Sequence, residues 1–408
     1  MKKDSAAPDV TGLIHHPYTP PSGFEAPQPG VFKASTVYFP NVAAMRQREW
    51  KDKSGYTYGL HGTPTTYLLE ERLCALEGAA QCVLVPSGLA ALSTVALALL
   101  KTGDEVLLPD NAYGPNKALA EGELQAFGIG HQLYDPMNPA DLAARISPRT
   151  RLVWLEAPGS VSMEFPDLIS LIKICREHKV LCALDNTWGA GLAFQPFDLL
   201  GDGQFSVDIS AHALTKYPSG GGDVLMGSIT TRDPALHLKI KLCHMRLGLG
   251  VGANDVETVL RALPSMGIRY QAQDDTARQL AQWFAAQPQC AQVLHPAFAS
   301  SPGHAHWQAI CAPQGRPGCA AGLFSVMIAA RYSSDQVDAF CDRLKLFKIG
   351  YSWGGPVSLV VPYKLDAMRP AWPAHLVPGT LVRFSMGLES VHALQQDLQQ
   401  ALQGALPV

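Results

Sequence analysis

Lys216 stands in Ser210-Ala211-His212-Ala213-Leu214-Thr215-Lys216-Tyr217-Pro218-Ser219-Gly220-Gly221-Gly222-Asp223, behind a β-rich run and ahead of consecutive glycines. Glycines at such a turn let the backbone bend closely around a bound group. A lysine buried there loses ammonium hydration, and the neutral amine that results is the form that condenses with an aldehyde to a Schiff base. The same residues also suit a surface lysine after a strand. Asp185 ends the apolar run Val180-Leu181-Cys182-Ala183-Leu184 and is followed by Asn186-Thr187. A carboxylate at the end of a buried strand needs a cationic partner, and a pyridinium nitrogen is one that would turn a ring into an electron sink. An Asx turn capping the next segment is the structural alternative. Val85-Pro86-Ser87-Gly88-Leu89-Ala90 reads as a strand end, a glycine turn and a helix opening, whose free amides and dipole suit an anion such as phosphate. Tyr113, in Asn111-Ala112-Tyr113-Gly114, follows the next strand; it either stacks on a flat ring or is an ordinary loop tyrosine.

The elements that must hold these side chains follow from the hydrophobic pattern. Strands are expected at Cys82–Val85, Glu105–Leu108, Leu152–Leu155, Val180–Leu184, Val207–Ser210 and Val224–Ile229. Helices are expected between them at Ala90–Leu100, Pro115–Phe127, Asp167–His178 and Pro234–Leu247. This alternation predicts an α/β sheet covered by helices. Beyond residue 262 the texture changes to a helix near Ala277–Ala286, a strand Leu323–Ala329, a helix Ser334–Leu344, a strand Thr380–Ser385 and a helix from Val391, which reads as a smaller α+β domain. Residues 1 to 30, rich in Pro, Gly, Ala and Ser, read as an extended arm able to reach a neighbouring subunit.

Composition excludes several function classes. With 32 Lys+Arg against 35 Asp+Glu and no basic block, no nucleic acid or anionic membrane is expected as a partner. The nine cysteines are odd in number and never spaced as C-x-x-C, which points to free thiols in a reduced cytoplasmic setting and to no metal site. No apolar run is long enough to span a bilayer. No G-x-G-x-x-G opens a βαβ unit, which argues against a nicotinamide-dependent oxidoreductase.

In this order and at these positions, the residues resemble the Cys/Met-metabolism group of fold-type I pyridoxal-phosphate enzymes, on the side of the bacterial cystathionine β-lyases. Further stretches carry the likeness: Ser54-Gly55-Tyr56-Thr57-Tyr58-Gly59, Leu155-Glu156-Ala157-Pro158-Gly159-Ser160, Asp185-Asn186-Thr187-Trp188, Tyr351-Ser352-Trp353-Gly354-Gly355 and Gly379-Thr380-Leu381-Val382-Arg383. The resemblance implies a large, mainly parallel α/β domain that binds pyridoxal 5'-phosphate (62–262), a smaller C-terminal α+β domain (263–408) and an N-terminal arm (1–61) touching a neighbouring subunit. It implies that Lys216 carries the cofactor, Asp185 pairs with the pyridine nitrogen and Tyr113 stacks on the ring and assists proton transfer. Gly88, Leu89 and Thr215 would hold the phosphate, with Tyr58 reaching in from a second copy of the chain in a dimer of dimers. Arg383 would grip the substrate α-carboxylate, Ser352 would place Lys216, and Trp353 and Tyr351 would line the substrate pocket.

The implied reaction is β-cleavage of cystathionine, a small-molecule sulfur amino acid, to homocysteine, pyruvate and ammonia. The Ser-Trp-Gly-Gly form is similar to the β-lyases, whereas γ-lyases and γ-synthases of the group usually show Ser-Leu-Gly-Gly. The alternatives are γ-elimination, γ-replacement or β-elimination from other cysteine S-conjugates on the same fold, and a non-enzymatic binding or regulatory protein. That last alternative rests on a departure: Leu60 stands where the group usually has an arginine on the cofactor phosphate. A second departure is Pro356-Val357 after Trp-Gly-Gly, where related lyases often have a glutamate; nothing in the residues explains it.

Overall fold

The computed structural model describes residues 11–16, 18, 21–24, 26–313 and 317–408, so part of the expected arm lies outside the described residues. Strands β1 (Gln81–Val85), β2 (Glu105–Pro109), β3 (Gly130–Tyr134), β4 (Thr150–Glu156), β5 (Leu181–Asp185), β6 (Ile209–Ala213) and β7 (Gly227–Thr231) form one sheet in the order β1-β7-β6-β5-β4-β2-β3. The neighbours from β3 to β6 pair in parallel. β7 runs antiparallel to both β1 and β6, so β1 points the same way as the parallel strands. The C-terminal ends of β1, β2, β4, β5 and β6 therefore share one edge, where ligands of open α/β sheets bind.

In chain order the helices of this part are α1 (Thr11–Ile14), α2 (Val42–Arg46), α3 (Pro64–Glu77), α4 (Gly88–Leu99), α5 (Gly114–Leu119), α6 (Pro139–Arg145), α7 (Leu168–Glu177), α8 (Pro234–Leu247) and α9 (Ala253–Ala262). One face of the sheet packs Val83, Val85, Trp154 and Ala183 with Leu92 and Val95 of α4 and Ile240 of α8. The other packs Leu84, Leu155 and Leu184 with Leu69 and Leu73 of α3, Leu171 of α7 and Val259 of α9. Alternate residues of β1, β4 and β5 thus enter opposite layers, as period-two strands covered on both faces require.

The chain then runs through α10 (Met266–Ala285), β8 (Cys290–Leu294), α11 (His304–Cys311), β9 (Leu323–Ala329), α12 (Ser334–Asp342), β10 (Lys348–Ile349), β11 (Leu359–Tyr363), β12 (Gly379–Ser385) and α13 (Val391–Ala405). These strands form a second sheet in the order β10-β11-β12-β9-β8. One of its faces packs Phe324, Val326, Val382 and Phe384 with Phe284 of α10, Phe340 of α12 and Leu398 of α13. Leu323, Met327 and Leu381, on the other face, join the core of the large sheet. Arg383 of β12 is thereby carried to the large sheet's edge.

Several expected elements are placed differently. The run expected at Val207–Ser210 starts later, as β6, because Val207 spends its amide on the loop carbonyl of Pro196. The run expected at Val224–Ile229 becomes β7, paired on both sides only from Gly227 onward. The helix expected at Pro115–Phe127 changes at Ala120 into a π-helical turn, Ala120–Leu124. The helix expected near Ala277–Ala286 is the second half of α10, which is 20 residues long. α1, α2, α3, α6, α9, α11, β3, β8, β10 and β11 have no counterpart in the expected pattern, and α1 lies within the expected extended arm, where Leu13 packs into the core of the large sheet.

Candidate active site

A cavity of about 180 Å³ opens at the C-terminal edge of the large sheet, lined by Ser87, Gly88, Leu89, Tyr113, Asp185, Thr215, Lys216 and Trp353 among others. Lys216 follows β6 by a short turn in which its amide donates to the Ala213 carbonyl. Its Nζ donates to Ser352 Oγ at 2.8 Å and lies 4.4 Å from the centre of the Trp353 ring. Burial lowers the Lys216 pKa to about 8; the Arg383 charge adds to the drop and Asp185 opposes it. The neutral amine is therefore accessible near neutral pH, which an exposed lysine would not allow.

Asp185, the last residue of β5, opens to this cavity, and its Oδ1 accepts from Thr187 N at 3.0 Å and Thr187 Oγ1 at 2.6 Å. Burial nevertheless pushes its pKa up, against those hydrogen bonds and against nearby His212 and Lys216. A cation placed against the carboxylate would relieve that cost. Ser87 caps α4, its Oγ accepting from Ala90 N at 3.0 Å. The amides of Gly88 and Leu89 donate to no acceptor among the described residues and open onto the cavity, a ready anion cradle. Gly88 is required there, since a Cβ would lie 2.5 Å from Ala213 Cβ.

Arg383, almost wholly buried, donates through Nη1 to the Ser160 carbonyl at 3.1 Å and through Nη2 to the Tyr351 carbonyl at 2.8 Å. Its guanidinium carbon is 5.1 Å from the Trp353 ring centre and 5.3 Å from that of Tyr363. The indole of Trp353 therefore carries both cations. Tyr351, Ser352 and Arg383 are not among the residues lining the cavity; Tyr351 is 77% exposed and packs edge-on to Tyr363. Tyr58 bridges to Thr36 and lies outside the cavity of its own chain, as does Leu60, whose side chain sits against Gly250.

The Cys/Met metabolism PLP-dependent enzyme family matches the chain over residues 10–403. The chain belongs to this family. Its cofactor is pyridoxal 5'-phosphate. The family member is 34% identical to the cystathionine β-lyase of Bordetella avium, over 98% of this chain and 99% of that one. It is 31% identical to the L-alanine/L-glutamate racemase of Wolbachia pipientis, over 92% of each chain. The crystal structure of metB from Corynebacterium glutamicum superposes with a TM-score of 0.85 at 26% identity, covering 97% of each chain.

The cavity fits that cofactor on its own chemistry: an amine for the aldehyde, unspent amides for the phosphate, a carboxylate short of a cation and the Tyr113 ring beside them. Two lining residues escaped the sequence reading of roles. Glu156 ends β4 as Asp185 ends β5, and the two are register partners. The strand-terminal carboxylate signal applied to Asp185 would have found it. His212 is buried, with Nδ1 3.5 Å from Glu77 Oε1 and neither nitrogen hydrogen-bonded among the described residues. Glu77 accepts its hydrogen bonds from Asn186 Nδ2, Ser210 Oγ and Thr230 Oγ1. No linear motif announces that cluster, which is assembled from α3, β6, β7 and the residue following β5. Among the described residues no group of three or more His, Cys, Asp or Glu side chains is placed to hold a metal ion, and no helix is long and apolar enough to cross a membrane.

Proposed function

We propose that this PLP-dependent enzyme is a carbon-sulfur β-lyase that cleaves cystathionine to homocysteine, pyruvate and ammonia. The observation that carries the reading is Trp353, whose ring stands 4.4 Å from Lys216 Nζ and 5.1 Å from the Arg383 guanidinium. An amino acid whose carboxylate meets Arg383 then lies along the indole with its Cα toward the lysine. The remaining N–H groups of Arg383 suit a carboxylate in a way a lysine would not reproduce. The indole bounds the space into which Cβ and sulfur extend.

Pyridoxal phosphate, when bound, supplies the aldehyde that condenses with amines and a ring that draws off the electron pair left at Cα. Ser352 Oγ aims the Lys216 amine, which removes the Cα proton once the substrate amine has displaced it. The Cβ–S bond breaks with its electron pair going to sulfur, and Lys216 Nζ, assisted by Tyr113, returns a proton to the departing thiolate. Water then releases pyruvate and ammonia from the three-carbon remainder. Gly88, Leu89 and Thr215 hold the phosphate in this reading, and Tyr58 completes the cavity of a second copy in a dimer of dimers, in the cytoplasm.

The test is Lys216→Ala, which is expected to abolish pyruvate formation and the visible absorbance of lysine-bound cofactor. Retention of both would refute the assignment. The racemase name among the relatives favours a second reading, proton return to the opposite face of Cα without Cβ–S cleavage. Loss of optical activity from alanine or glutamate, with no pyruvate from cystathionine, would select it.

A further inference from the structure

Tyr113 lines the cavity from the loop between β2 and α5. It precedes α5 as that helix's N-cap without a side-chain cap, and the residue is 36% exposed. Its carbonyl accepts from Asn116 N at 2.9 Å within the first turn of α5, and what ties its backbone to the sheet is its amide: Tyr113 N donates to Glu156 Oε2 at 2.8 Å. The rest of the loop is anchored elsewhere, with Asp110 on Arg369 and Asn111 on Glu164. Glu156 lines the cavity at the end of β4, in register with Asp185. A carboxyl there is costly, because burial and the adjacent Asp185 both push its pKa well up. Ser160 and Lys117 also act on the carboxyl, but the backbone bond to Tyr113 is its strongest favourable contact, and a costly buried group that holds a cavity-lining residue calls for a role.

We infer that Glu156 is a positioning residue: it fixes the Tyr113 backbone, and through it holds the ring at the angle the bound cofactor meets. This rests on the proposed stacking role of Tyr113. Hydrogen-bond acceptance is the operative property, so an amide oxygen serves as well as a carboxyl oxygen, and a side chain of equal size without an acceptor does not. In the acceptor's absence the Tyr113 amide is left unpaired in a partly buried place, which costs about tenfold in any equilibrium that needs the ring in position.

The experiment titrates pyridoxal phosphate into cofactor-free Glu156→Gln, Glu156→Met, Tyr113→Ala and the Tyr113→Ala/Glu156→Met double variant. Affinity and the visible circular dichroism of the bound cofactor are read. Glu156→Gln is expected to keep affinity within about twofold of the parent, and Glu156→Met to lose about tenfold together with part of the dichroic band. In the Tyr113→Ala background, adding Glu156→Met is expected to cost little more, because the ring it positions is gone. Additive losses, or Glu156→Gln as damaging as Glu156→Met, would overturn the inference. Should Glu156→Met not fold, Glu156→Asp, too short to reach the amide, takes its place with the same expectation. If Tyr113→Ala itself leaves affinity and dichroism unchanged, the stacking role fails instead, and the two failures are told apart.

Discussion

At the scale of single residues, the function turns on neighbours that change what an ordinary side chain can do. Lys216 is brought to a pKa of about 8 by burial and by Arg383, while Ser352 aims it. Arg383 is itself pulled below its usual pKa by burial, with Tyr363 and Tyr113 opposing. It spends two N–H groups on the carbonyls of Ser160 and Tyr351, which fixes the plane in which the others point. Arg383→Lys keeps a positive charge but loses both the fork and those anchors. Steady-state kinetics with cystathionine should show KM raised at least about tenfold, since hydrogen bonds between charged groups contribute about 1.5–3 kcal/mol. An unchanged KM would remove Arg383 from the carboxylate site.

At the scale of elements, the site is a set of strand ends and one helix start. Gly88 shows how tightly α4 must approach β6. Gly88→Ala would drive a methyl into Ala213, separating the α4 amides from the strand that leads to Lys216. Cofactor affinity, read by equilibrium dialysis, should fall about tenfold or more if those amides carry the phosphate through charge-assisted bonds. Much of this was legible beforehand. Lys216, Asp185, Gly88 and Tyr113 each sit just past or at the end of an apolar run, and β1, β2, β4 and β5 lie where such runs were read. α3 was not found because it has no apolar stripe: Thr65, Glu70, Arg72 and Glu77 are buried alongside Leu69 and Leu73. Its ends did announce it, with Thr63 and Thr66 in a capping box, Pro64 in the first turn and left-handed Gly78 after the last. β3, Gly-His-Gln-Leu-Tyr, is an edge strand whose polar residues hide the pattern. The contact of Arg383 with the Tyr351 carbonyl, by contrast, is a tertiary one that no linear pattern announces.

At the scale of the whole molecule, the two sheets are joined close to the site by a buried ionic cluster. Arg369, from the segment between β11 and β12, pairs with Asp110 after β2 at 2.7 Å and with Glu164 after β4. His375 Nε2 and Ser162 Oγ also bond to Glu164, and Lys117 Nζ donates to the carbonyls of Asp110 and Met368. Arg369→Met would strand two carboxylates, at a cost of about 3–5 kcal/mol in denaturant unfolding. Glu164 is fully buried, which pushes its pKa up, yet His375, Arg369 and Ser162 hold it down to about 2. Its folded pKa lies below the usual 4.5, so its stabilisation is complete above about pH 4.5 and is lost as pH falls toward 2. Glu164→Gln should therefore flatten the fall of stability across that window, measured by denaturant midpoints at a series of pH values.

The central claim concerns which bond of the substrate breaks. Incubating the cofactor-loaded enzyme with cystathionine and resolving the products by mass tests it most directly. Homocysteine with pyruvate is the predicted outcome; cysteine with 2-oxobutyrate, or unreacted cystathionine, would contradict it.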